Sequence, residues 1–240
     1  MSQFISALDS VSLVEHAGVP RKALKALLVG NGLCPGSRVL VVGGASVEFL
    51  RCLDGLGLLV TGFESNASTL AALRGTQPPI DWRGGNAGET ACLPEHAFDL
   101  VLVREHPSYH GPLSSADALR TTSDLLSSLR PGGFLAFVDP SHSVPVVGAR
   151  SHAAGCVASL LQSFPGTART EFFAEGPVRR LWQRGQALAP SSNYWIVQHQ
   201  LGADLIPRLA WRRLAQLATE YFKGDCCERQ SAARDQRRAA

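Results

Sequence analysis

Two stretches of this chain gather side chains that can bind or move charge. "REHPSYH", Arg104 to His110, holds a guanidinium, a carboxylate, two imidazoles and a phenol. His106 and His110 titrate near neutrality by default, so either could take a proton from a substrate, with Glu105 and Tyr109 as further candidates. The plainer reading is a polar loop facing water. The other stretch is "LVTGFES", which ends in Glu64 and Ser65. An ionised carboxylate only accepts hydrogen bonds and has two oxygens, so Glu64 suits a pair of ribose hydroxyls. Capping the following helix is its simpler role. "DPSHS" places Ser141 and His142 near Asp139, but the G-x-S-x-G spacing of a hydrolase nucleophile is absent. The cysteines are Cys34, Cys52, Cys92, Cys156, Cys226 and Cys227. They form no C-x-x-C pair, and no histidine follows Cys226–Cys227 at ligand spacing, so no metal site is expected.

These residues need a frame, and from Arg38 onward the pattern alternates. Apolar strands are expected in "RVLVVGG", "LLVTGFE", "PPIDWRGG", "FDLVLVRE" and "FLAFVDP". Helices are expected in "ASVEFLRCLDGLG", in "SNASTLAALRG" capped by Ser65 or Asn66, and in "SSADALRTTSDLLSSLRPGG", closed by Pro131, Gly132 and Gly133. A helix in "ARSHAAGCVASLLQSF" precedes two closing strands, "ARTEFFA" and "SNYWIVQHQL", with a short helix expected between them. Unbroken apolar strands suit a sheet covered on both faces, and strand–helix alternation makes it mostly parallel. Ligands of such sheets sit beyond the carboxyl ends of the strands. That selects Gly43–Ser46, Glu64–Ser65, Gly85–Ala87, Arg104–His110 and Asp139–His142.

Four features in order then resemble the class I S-adenosylmethionine-dependent methyltransferases: "VLVVGGAS", "GFES", "GGNAGETACLPEHAFDLVLVREH" and "LLSSLRPGGFLAFVD". The resemblance runs from about Ser37 to Leu201. It implies an α/β, Rossmann-like methyltransferase fold: a seven-stranded, mostly parallel sheet in the order 3-2-1-4-5-7-6, with helices on both faces. It also implies S-adenosylmethionine as cofactor and a small-molecule substrate. Gly43, Gly44 and Ala45 would let the backbone approach the cofactor, and Glu64 would hold its ribose. Ser65, Asn86 and Ala87 would lie beside the adenine. Arg104 and Glu105 would flank the methyl donor. The chain departs from the family pattern at several points. Val41 stands where an acid is usual, Ala45 and Val47 replace glycines, and Asn86 replaces an acid. A nicotinamide-dependent oxidoreductase would share the glycine turn and the acid, but it requires G-x-G-x-x-G, which "GGASVE" lacks. A non-catalytic binding or scaffold protein with a decayed cofactor site is the alternative from another class.

The chain has 240 residues, is 45% hydrophobic and carries a formal charge of +3. That supports one substantial core. The expected organisation is an N-terminal helical segment (1–36), the α/β domain (37–201), a C-terminal helix (202–222) and a tail without fixed structure (223–240). Neither a signal-peptide pattern nor a membrane-length apolar run is present, so a cytoplasmic location is expected. The small positive excess gathers in the tail, at Arg234, Arg237 and Arg238, and a solvated tail accounts for it better than nucleic acid does. In the C-terminal helix, Ile206, Leu209, Ala210, Leu214, Leu217 and Tyr221 make one apolar stripe, expected to pack on the domain or in a homodimer.

Overall fold

The computed structural model describes residues 4, 6, 8, 21–43, 47–75, 80–84, 89–104, 106–138, 154–173 and 194–220. Its strands are β1 (Arg38–Val42), β2 (Leu59–Glu64), β3 (Asp81–Gly84), β4 (Phe98–Val103), β5 (Leu129–Val138), β6 (Thr167–Phe173) and β7 (Tyr194–Gln200). They form one sheet in the order β3-β2-β1-β4-β5-β7-β6, as the resemblance implied. The first five are mutually parallel, and β7 runs antiparallel to both β5 and β6. Apolar residues on both sides of each inner strand bury both faces. Val39, Val41, Leu100 and Leu102 belong to one core cluster, and Leu40, Val42, Val101 and Val103 to the other.

Helices α1 (Arg21–Gly30) and α2 (Val47–Gly55) cover the first face through Leu24, Leu27, Leu28, Phe49 and Leu53. Phe4 and Leu8, both helical, join that cluster. Helix α3 (Ala67–Arg74) lies near β3. It takes Asn66 as its N-cap, one of the two candidates, and Leu70 is its buried residue. On the second face lie α4 (Ala116–Ser128), α5 (Ala154–Gln162) and α6 (208–220).

Two expectations about elements need correction. Helix α4 stops at Ser128 rather than at the proline–glycine run, and "LRPGG" opens β5. Leu129 is already extended, with ψ 141, and Pro131 disfavours a helical Arg130. Helix α6 turns only part of the expected stripe inward, with Leu214 and the preceding Ile206 packed against the core. Its buried residues are Trp211, Ala215 and Ala218, while Leu209 is 80% exposed and Leu217 54%. A Trp ring buries more surface than a leucine, and two arginines beside it find partners on the domain. Arg208 donates to the carbonyls of Ala91 and Leu93 and to Ser127 Oγ, and Arg212 to Asp124. These contacts align α6 antiparallel to α4. The short helix expected between β6 and β7 lies outside the described residues.

Candidate functional site

Of the sequence-selected positions, Gly43, Glu64, Ser65, Arg104 and His106–His110 are described, at or just past the carboxyl ends of β1, β2 and β4. Gly43 leaves β1 at φ 65, in the left-handed region where a side chain is strained, and donates its N–H to the Phe63 carbonyl at 2.9 Å. Gly84 ends β3 at φ 106, and a Cβ there would fall 2.3 Å from the Glu64 carbonyl oxygen. Glu64, at the end of the strand between them, is thus flanked by two Cβ-free positions. Its Oε1 accepts the Asn66 N–H at 2.8 Å, and Asn66 Oδ1 in turn accepts the N–H groups of Ser68 and Thr69. Glu64 thus braces the cap residue Asn66 rather than capping α3 itself. That contact occupies one oxygen of a two-oxygen group, so it does not preclude ligand binding. Ser65 is half-buried beside it.

The end of β4 splits its polar residues between the two faces. Arg104 donates its N–H to the Val42 carbonyl at 3.1 Å and lays its guanidinium 5.0 Å above the Phe49 ring of α2. Such cation–π contacts favour the charged, oriented guanidinium. His106 points to the other face and is only 1% exposed. Its ring centroid lies 6.1 Å from that of Phe63 and 5.9 Å from that of Tyr109. Burial, assisted by the charge of His110, lowers its pKa to about 4. Tyr109 is a core residue. Its hydroxyl shares a hydrogen bond with Thr122 Oγ1 at 3.1 Å, its ring meets Phe137 edge-on, and burial pushes its pKa upward. His110 is exposed and closes the turn Pro107–Tyr109 through its N–H to the Pro107 carbonyl. Gly44, Ala45, Asn86, Ala87, Glu105, Ser141 and His142 lie outside the described residues.

Two features of the edge escaped the sequence reading. Gly84 is one, although a glycine doublet ending a strand hints at the close backbone approach that the Glu64 carbonyl makes there. The Phe49–Arg104 pair joins α2 to β4 across more than fifty residues, and no local pattern announces it. Val41, standing at the family's usual acid, is fully buried in the apolar core. Among the described residues, two cavities lie away from this edge. One, of ≈ 120 Å³, is lined by His96, Leu129, Pro165, Asp204 and Trp211, and the other, of ≈ 250 Å³, by Ala91, Arg120, Asp124, Arg212 and Gln216. Among the described residues there is no cluster of potential metal ligands and no helix long and apolar enough to cross a membrane.

No protein-family model matches this chain, and no curated protein matches it significantly. Solved structures do. A chain from the complex between the Haloferax volcanii Trm112 methyltransferase activator and a methyltransferase superposes with a TM-score of 0.53 at 13% identity, covering 75% of this chain and 88% of that one. An S-adenosylmethionine-dependent methyltransferase from Mesorhizobium loti gives 0.52 at 18%, covering 80% and 99%. Another from Archaeoglobus fulgidus gives 0.50 at 15%, covering 78% and 97%. The chain has the class I methyltransferase fold. Identities this low establish the methyltransferase fold alone, so the chemistry has to come from the chain's own residues.

Proposed function

We propose that this chain binds S-adenosylmethionine at the carboxyl edge of its sheet and transfers the methyl group to a small molecule. The observation that carries the reading is Glu64 at the end of β2, flanked by Gly43 and Gly84. A carboxylate there accepts the ribose hydroxyls, and the left-handed glycine turn at Gly43 keeps a side chain off the neighbouring strand end. The cofactor supplies a methyl group on a positively charged sulfur, open to in-line displacement. Gly43, Gly44 and Ala45 border the methionine part, Ser65, Asn86 and Ala87 the adenine, and Arg104 the donor end. Catalysis is chiefly positioning. Tyr109, engaged with Thr122, is withdrawn as a base, which leaves Glu105 and His110 to take a proton where the acceptor needs it. The alternative, a binding or scaffold protein on this fold, draws on Val41: the edge lacks the acid that would hold the cofactor's amino group.

Calorimetric titration with S-adenosylhomocysteine decides between the two. Wild type should bind, and Glu64→Gln, which keeps the volume and removes the charge, should bind about tenfold more weakly or worse. Equal affinities would reduce Glu64 to a brace for the Asn66 cap. No binding by wild type at millimolar ligand favours the scaffold.

A further inference from the structure

The notable group at the edge is His106, because its local chemistry does not fit the base that its residue type suggests. The Ser108 N–H points at its Nδ1 at 3.3 Å. A ring nitrogen that accepts must carry a lone pair, so the neutral ring keeps its proton on Nε2. Nε2 is buried and has no hydrogen-bond partner among the described residues. The ring is neutral across the physiological range, since burial opposes the charged form. The side chain therefore presents a single N–H donor. It cannot accept a proton at Nε2 without first losing the one it has.

An orphaned buried donor is costly, and such groups usually have a partner or a purpose. The position supplies the purpose. The His106 ring leans on Phe63, the residue before Glu64, and the Phe63 ring reaches to within 3.2 Å of where a Gly84 Cβ would stand. His106 thus backs, through Phe63, the strand end that carries Glu64. We propose that His106 is a binding residue, donating its Nε2–H to an acceptor atom of the bound S-adenosyl ligand. This rests on the cofactor reading above and deepens it. Glu64 supplies acceptors for the ligand's hydroxyls, and His106 supplies a donor where the chain has lost family acids that only accept. The pocket would then recognise a ligand through both signs of hydrogen bonding, without a charged imidazole.

The test uses nitrogen-15 NMR of the wild-type chain together with S-adenosylhomocysteine titrations of two variants. In the free protein, His106 should show the Nε2–H tautomer, and its Nε2 proton signal should move and exchange more slowly once S-adenosylhomocysteine is added. His106→Phe keeps a ring and removes the donor. Its affinity should fall about tenfold, while its thermal stability without ligand should match or exceed wild type, because an orphan has been removed. His106→Gln places an amide N–H near the old Nε2 and should bind within about threefold of wild type. An Nδ1–H tautomer, an Nε2 signal unmoved by bound ligand, or a His106→Phe variant that binds as wild type does would each overturn the assignment while leaving the cofactor reading intact. Wild type failing to bind S-adenosylhomocysteine would overturn both.

Discussion

Against one face of the sheet, α1 and α2 lay Leu24, Leu27, Leu28, Phe49 and Leu53, and the contact is almost wholly apolar. Against the other, α4 is buried on all sides from Thr121 onward and brings Thr121, Thr122, Ser123, Asp124, Ser127 and Ser128 with it. The first face needs matching volumes. The second needs partners for the polar groups of α4, since burying an unsatisfied one costs free energy. Helix α4 finds them locally and across elements. The hydroxyls of Thr122, Ser123, Ser127 and Ser128 donate back to carbonyls of their own helix. Asp124 accepts from Thr90 Oγ1 at 3.1 Å and from Arg212 at 3.2 Å, and Arg208 satisfies the carbonyls of Ala91 and Leu93. The α4 layer is polar because α6 and its arginines lie over it. A helix with only solvent outside would leave those groups wet and unpaired at little cost.

Mutations should separate the two kinds of burial. The largest effect is expected on the apolar face. Phe49→Ala opens a cavity and removes the ring under Arg104, and should cost about 4 kcal/mol in chemical denaturation. A loss under about 1 kcal/mol would mean that face is loosely packed. On the polar side, His106 links stability to pH. Its folded pKa is lowered to about 4 from 6.5, through burial first and His110 second. The unfolded chain therefore binds the proton more readily, and its contribution to stability is full above pH 6.5 and is lost as pH falls toward 4. The total is on the order of 3 kcal/mol. His106→Phe should flatten that part of the pH–stability curve, and parallel curves for the two proteins would contradict a buried neutral ring.

Arg212→Ala leaves the buried Asp124 carboxylate with Thr90 as its remaining side-chain partner. The arginine is itself 41% exposed, so the pair is partly screened and the cost should be about 2 kcal/mol. Arg212→Lys tests geometry against charge and should recover part of it. At the small end, Leu209→Ser on the outer face of α6 should change stability by less than about 0.5 kcal/mol, since that side chain is already exposed. A drop beyond 1 kcal/mol would show that the leucine stripe, rather than the Trp211 side, holds this helix.

The strands, their order in the chain, the glycine at the first turn and the acid ending the second strand are written in "RVLVVGG" and "LVTGFE" themselves. Strand and helix periodicities report which residues want burial, and a glycine or a strand-ending carboxylate announces itself within a few positions. Tertiary structure alone decided the rest. Whether Leu209 or Trp211 faces inward depends on the partners that Arg208 and Arg212 find 81 and 88 residues away, at Ser127 and Asp124. "REHPSYH" reads as one polar cluster, yet the fold sends Arg104 to Phe49, sinks Tyr109 against Thr122, buries His106 and leaves His110 in water. Residue type sets what a side chain can do. Its protonation, tautomer and neighbours follow from burial, and burial is a property of the packed layers, which no window of neighbouring residues contains.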